Sequence, residues 1–152
     1  MKKATLWVLI KDGKIFLWEK KRWFAKWILN GVGWKQEDGE TIRDCMIREA
    51  KEEIGIQIKD IEELWVLHSN FTDNTSWNQD VHIFMIKDFG WDIIESEEIK
   101  PFWFDLKDIP YDKMWKDDSI WLPRVLIWET DIEYNFYFNT DNSELLKYEK
   151  IK

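Results

Sequence analysis

Residues 34–56 read WKQEDGETIRDCMIREAKEEIGI, and the reading of this stretch decides the rest. Thr41 followed three residues on by Asp44 is a capping-box pattern, and Gly55 is a natural stop, so the spacing predicts a helix over 41–55. With Ile42 at zero on a wheel of about 100° per residue, Cys45, Met46, Ala50 and Ile54 join it on one apolar face. Glu49 and Glu53 fall inside the same arc, and Glu52 sits at its edge. A solvated face would carry its glutamates on the opposite side. Carboxylates buried without partners are costly, and like charges four residues apart repel. A divalent cation between them resolves the conflict: hard oxygen ligands at i, i+3 and i+4 suit Mg²⁺ or Mn²⁺, which need few protein ligands when phosphates supply the rest. The alternative is a surface helix with salt bridges from Arg48 and Lys51.

Outward from the helix, 5–10 is an apolar, partly β-branched run, then Asp12-Gly13, then a second run over 14–18: a hairpin signal. Residues 20–40 are charged and carry Gly31, Gly33 and Gly39, which reads as a long loop, a feature usually tied to function. Strands are expected over 61–67, 81–86, 101–106 and 133–139, and a second helix over 119–129. Strands outnumber helices and the helices fall between them, so the expected fold is an α/β (α+β) sandwich around a mixed sheet.

The chain has 152 residues, 45% hydrophobic and 34% charged, enough for one core and one domain spanning 1–152. Its 30 acidic and 22 basic residues give a formal charge of -8, which argues against nucleic acid or an anionic membrane as partner. Cys45 is the only cysteine, so neither an intrachain disulfide nor a cysteine zinc site is expected. The apolar run ending at Ile10 is too short for a secretory or membrane segment, and a cytoplasmic protein is expected.

The 34–56 stretch resembles the Nudix box, Gly-x5-Glu-x7-Arg-Glu-U-x-Glu-Glu-x-Gly-U with U apolar. Glu40, Arg48, Glu49, Ala50, Glu52, Glu53, Gly55 and Ile56 match in register, and Trp34 stands where the box has glycine. The segments KKRWFAK, NGVGWK, DVHIF and PFWFDLKDIPYDKMWKDDSIWLP further resemble the MutT-homologue branch, which hydrolyses oxidised purine nucleoside triphosphates. The resemblance implies a Nudix fold, an α-β-α sandwich, holding Mg²⁺ (or Mn²⁺) on Glu49, Glu52 and Glu53 with the Gly33 carbonyl. Glu98 matches a further metal-linked acid; its alternative is a solvated charge beside Glu95 and Glu97.

The box implies pyrophosphohydrolase chemistry. A triphosphate and this chain are both anionic and no P-loop is present, so metal must neutralise the phosphates and activate a water. Glu53, or another box glutamate, is the candidate general base. Arg48 pairs with and orients a box carboxylate, and Glu40 caps or orients the loop–helix junction. Lys20 and Lys35 are candidate phosphate contacts or plain solvated lysines, and Gly33 and Trp34 complete that side of the site. The base pocket is implied at Thr5, Asn30, Phe71, Trp115, Asp117 and Asp118. Trp115 can stack on a purine, and Asn30 offers both a donor and an acceptor. Adjacent acids in an aromatic setting raise at least one pKa, so one carboxyl stays protonated and donates. The other reading of Asp117-Asp118 is an acidic pair at a helix N-terminus.

The implied activity is nucleotide-pool sanitisation by a monomer acting on a small-molecule nucleotide such as 8-oxo-dGTP. Its rivals are a Nudix enzyme for another nucleoside diphosphate derivative and a catalytically weak nucleotide-binding module. There are 12 Trp and 6 Gly, where usage of Gly near 7% gives roughly 11. Trp18, Trp23, Trp27 and Trp34, and also Trp65 and Trp91, stand where the resembling proteins carry glycine. Tryptophan at such positions is expected to strain the backbone or obstruct the site.

Overall fold

The computed structural model describes residues 2–20, 27–28, 31–32, 37–90, 99–139 and 144–152. Strands β1 (Lys2–Lys11) and β2 (Lys14–Lys20) form the expected hairpin, with Ile10 opposite Ile15 and Lys11 opposite Lys14. Asp12 and Gly13 turn it with φ of 53° and 74°, the paired left-handed conformation that Asp-Gly supplies at low cost. Two short strands, β3 (Trp27–Ile28) and β4 (Gly31–Val32), interrupt the segment expected to be a loop, pairing with β2 and β1. Helix α1 (Ile42–Ile54) follows. Then come β5 (Gln57–Phe71), a 3-10 turn at Thr75–Trp77, β6 (Gln79–Gly90) and β7 (Ile99–Asp105). Helix α2 (Asp118–Leu126), β8 (Ile132–Phe138) and β9 (Leu145–Lys150) complete the order.

The nine strands form one mixed sheet of order β3-β2-β1-β6-β5-β8-β9, with β4 on β1 and β7 on β2. The pairs β1·β6 and β5·β8 are parallel and the others antiparallel. Alternation along the central strands builds two cores. Val8, Leu67, Ile83 and Phe136 pack with Trp121, Leu122 and Val125 of α2. Trp7, Leu9, Phe16 and Phe84 pack with Met46 and Ala50 of α1. One helix therefore covers each face, which is the expected sandwich around a mixed sheet. Met46 is fully buried, and truncating it to alanine costs roughly 2–5 kcal/mol.

Of the positions expected to be strained, the described ones, Trp18, Trp27 and Trp65, have no left-handed backbone. Trp18 and Trp27 lie in paired strands, where extended backbone admits any residue; Trp23, Trp34 and Trp91 lie outside the described residues. Trp65 is buried on β5, stacked on Tyr134 at 5.5 Å, and its Nε1 donates to the Glu129 carbonyl at 2.8 Å. Among the described residues Trp128, just past α2, is the tryptophan with a left-handed backbone, φ 62°. The Trp128 N–H donates to Val125 O (2.9 Å) and the Glu129 N–H to Arg124 O (3.2 Å), the Schellman pair that places a glycine-type conformation at residue 128.

Candidate active site

Helix α1 begins where the Thr41 hydroxyl accepts the Asp44 N–H at 3.0 Å and ends where Gly55, at φ 71°, donates to Lys51 O at 2.9 Å. Cys45, Met46 and Ala50 are buried against the sheet; burial, followed by the charge of Glu40, pushes the Cys45 thiol up to about 11, so it is an inert core group. Arg48 gathers the carboxylates. Its Nε and Nη2 grip the two oxygens of Glu40 at 2.8 and 3.1 Å, and its Nη1 reaches Glu49 Oε1 at 2.9 Å and Glu52 Oε2 at 3.2 Å. Glu40 Oε1 also accepts the Glu37 N–H at 3.2 Å, fixing the chain just before the helix. The hydrogen bond from Arg48 holds the Glu40 carboxyl below its ordinary range, and Glu40 in turn raises Arg48 further. The fork-to-fork pair sets the guanidinium plane, and that plane aims Glu49 and Glu52.

The donor chemistry fits a hard divalent cation. Glu49 and Glu52 are neighbours on one helix flank, and among the described contacts Arg48 engages one oxygen of each. Their side chains are 22% and 59% exposed, so the pair stands at the edge of the core with access to solvent. Among the described residues no cluster of three or more such ligands occurs. Glu53 lies on α1, but its side chain, Gly33 and Glu98 lie outside the described residues.

The second part of the site is a cavity of about 400 Å³ on the α2 face of the sheet. Of the residues expected at a base pocket, Phe71, Trp115, Asp117 and Asp118 line it together. Trp115 is 41% exposed at the rim, whereas Asp117 and Asp118 are 9% and 2% exposed. Asp117 occupies the N-cap of α2 yet makes no side-chain cap bond. Asp118 Oδ2 accepts the Trp115 N–H at 3.1 Å, which ties the stacking residue to the acid pair. Burial raises Asp117 to about 6; burial, and then the charge of Asp117, raises Asp118 well above the ordinary aspartate value. A buried carboxyl still protonated at neutral pH can donate a hydrogen bond.

Thr5 departs from expectation. It is 1% exposed but has the strand parity of Trp7 and Leu9, which pack toward α1; its neighbour Leu6 lines the cavity instead. Alternation in β1 therefore turns Thr5 to the other face. Lys20 closes β2, and its side chain lies outside the described residues, as do Asn30, Trp34 and Lys35. Sequence reasoning missed Ser69, Trp77, Gln79 and Phe138, which also line the cavity. Ser69 and Phe138 were findable, because Ser69 shares parity with Leu67 and Phe71, and Phe138 with Phe136. Trp77 sits in the 3-10 turn before β6 and Gln79 at that strand's first residue, beyond the reach of any strand pattern.

Known proteins agree with this geometry. The NUDIX domain model matches residues 1–125. The zebrafish (Danio rerio) protein named oxidized purine nucleoside triphosphate hydrolase is 36% identical over 125 residues, 82% of this chain and 80% of the relative. The mouse (Mus musculus) protein of the same name is 36% identical, covering 80% and 78%. The crystal structure of a MutT protein from Bacillus halodurans superposes with a TM-score of 0.86 over 99% of this chain and 97% of that one, at 23% identity, a likeness of fold. With its box glutamates locked to Arg48 on α1 and a matching model over most of its length, the chain belongs to the NUDIX domain family.

Proposed function

We propose that this protein is a metal-dependent pyrophosphohydrolase that converts purine nucleoside triphosphates, oxidised ones such as 8-oxo-dGTP foremost, to monophosphate and pyrophosphate, and so clears damaged nucleotides from the pool. The observation that carries this reading is one sheet with a carboxylate helix clamped by Arg48 on one face and, on the other, an aromatic cavity whose wall holds the buried acids Asp117 and Asp118. The first suits phosphates and the second a base. The two relatives named as oxidized purine nucleoside triphosphate hydrolases support the same choice.

Nudix hydrolases generally need divalent metal ions; Mg²⁺ is the proposed ion here, with Mn²⁺ as substitute. Glu49, Glu52 and Glu53, the Gly33 carbonyl and, from farther off, Glu98 would hold it. When bound, it neutralises the triphosphate and acidifies a water. Glu53 is the proposed general base, and Arg48 fixes Glu49 and Glu52. Lys20, Asn30, Trp34 and Lys35 belong to the proposed substrate-binding set. Water cleaves the bond bridging the α- and β-phosphates, giving the nucleoside monophosphate and pyrophosphate.

One domain over 1–152, a monomer, a cytoplasmic location and no nucleic-acid or membrane partner complete the proposal. Among the described residues no helix is long and apolar enough to cross a membrane. The test is a turnover screen with Mg²⁺, reading pyrophosphate against orthophosphate. Pyrophosphate release from 8-oxo-dGTP is expected. Cleavage of nucleoside diphosphate derivatives with no turnover of purine triphosphates overturns the reading, as does nucleotide binding without turnover.

A further inference from the structure

The cavity holds a second polar station, on the sheet rather than on α2. Leu67, Ser69 and Phe71 of β5 and Gln79 and Val81 of β6 contribute to its lining. Ser69 lies directly opposite Gln79 in the β5·β6 register. Ser69 is 8% exposed, and neither it nor Gln79 has a side-chain hydrogen bond among the described residues. Their surroundings are apolar: Phe71 stacks on Phe138 at 5.5 Å, and Trp77 stands edge-on to Phe71 at 5.8 Å. Ser69 and Gln79 both open onto the cavity, so a ligand there meets a hydroxyl and an amide that no side-chain hydrogen bond among the described residues engages.

A ligand that satisfies both stations needs flat apolar faces and two separate polar edges. A purine has them: the six-membered-ring edge, and the 7,8-edge of the five-membered ring. Oxidation at C8 changes the second edge. An ordinary purine shows an N7 acceptor beside C8–H; an 8-oxopurine shows an N7–H donor beside an O8 acceptor. A glutamine amide carries one acceptor and a two-hydrogen donor, so it can pair with N7–H and O8 at once, but makes only one bond to N7 of an ordinary purine.

Resting on the nucleotide reading above, we propose that Gln79, supported by Ser69, is the specificity-determining residue for oxidation, reading the 7,8-edge of the base. Asp117 and Asp118 then serve the other edge, where guanine and adenine differ. The two discriminations are physically separate, because one comes from the strands and the other from the start of α2.

The experiment measures kcat/KM for 8-oxo-dGTP, dGTP, 8-oxo-dATP and dATP with the parent, Gln79→Leu, Gln79→Glu, Ser69→Ala and Asp117→Asn. A site that hydrogen-bonds a ligand edge rejects ligands lacking it, and removing the partner removes that preference. Gln79→Leu should lower the oxidised-to-ordinary ratio about tenfold or more for both bases, through KM, while leaving the guanine-to-adenine ratio within about twofold. Gln79→Glu, close in shape, keeps an acceptor for N7–H but loses the donor for O8, so it should change the ratio less than Gln79→Leu does. Ser69→Ala should lose a smaller part. Asp117→Asn should do the converse, moving the base ratio and sparing the oxidation ratio. A parent that turns over these nucleotides, with an oxidation ratio unmoved by both Gln79 variants, overturns this proposal and leaves the function standing. A parent that turns over none of the four overturns both.

Discussion

One guanidinium, that of Arg48, hydrogen-bonds Glu40, Glu49 and Glu52 and lies 3.8 Å from Glu37, and this explains how glutamates can crowd the margin of an apolar helix face. It takes both oxygens of Glu40 and one each from Glu49 and Glu52. The box carboxylate proposed for proton transfer is Glu53. Replacing Glu53 by Gln keeps the shape and removes one charge from a crowded set. Turnover should fall about 10²-fold or more, the size of losing a base or metal ligand. The fold should persist, with a melting temperature equal to or above the parent's as repulsion is relieved. Turnover within a few-fold of the parent would remove Glu53 from its role. The acid pair makes a second residue-level prediction. Burial lifts Asp117 to about 6 and Asp118 well above the ordinary value near 3.8, so above pH 4 or so the folded state binds more protons than the unfolded one. Stability is then fully present below the unfolded pKa and lost as pH rises from there through about 6 and beyond. Denaturant unfolding at about pH 4 and pH 8 should show this loss in the parent and a flatter response in the Asp117→Asn, Asp118→Asn double variant. Equal slopes would mean that the pair ionises freely in the fold.

Each helix ends on a residue of left-handed backbone, and only one of the two residues is suited to it. Gly55 at φ 71° closes α1 without strain, whereas Trp128 at φ 62° closes α2 with a bulky side chain in the same conformation. A side chain there costs roughly 1–2 kcal/mol. Trp128 is 45% exposed, so more than half of its surface is buried, and Lys87 Nζ lies 6.0 Å from its ring centroid. Trp128→Gly relieves the backbone strain but forfeits that packing, so its melting temperature should stay close to the parent's, while Gly55→Ala should destabilise the protein by about 1 kcal/mol; thermal melts of the two variants check both. A clearly higher melting temperature for Trp128→Gly would show that the strain outweighs the packing. Helix α1 was legible because its cap, apolar face and stop are all local, and so was the Asp12-Gly13 hairpin. The strands were read too short: β5 runs Gln57–Phe71, and its charged first residues are held by pairing with β6 and not by their own pattern. Strand β9 escaped notice because five of its six residues are exposed, so no buried face marks it. Phe71, Trp115 and the acid pair could be named from resemblance to the family. Ser69 and Gln79 meet only through a cross-strand register, which a linear pattern does not contain.

Across the whole molecule, the ratio of 12 tryptophans to 6 glycines has one economical cause. Glycines lost by drift would scatter among many residue types; the four positions 18, 23, 27 and 34, where the resembling family carries glycine, all hold the bulkiest one. Trp128 adds a fifth case on independent grounds, because a Schellman turn calls for glycine there whatever relatives carry. Trp65 lies beyond the strain argument, since stacking on Tyr134 and a bond to the Glu129 carbonyl seat it well. The hypothesis is that the gene has UGA at the strained and replaced positions and that its native lineage reads this codon as glycine. Trp103, Trp115 and Trp121 lie in the PFWFDLKDIPYDKMWKDDSIWLP segment that resembles the family as it stands, and they should be encoded by UGG. Reading the codons, or weighing the native protein, decides it; UGG at positions 18, 23, 27 and 34 refutes it. The consequence for activity can be tested in the same protein. Glycine lets backbone approach phosphate closely where an indole would obstruct it, so the all-glycine form should turn over nucleotide faster than the tryptophan form. Trp34→Gly, which completes the box, should give the largest single gain in kcat/KM, measured by pyrophosphate release. An all-glycine form no faster than the tryptophan form would mean that these side chains do not obstruct the site.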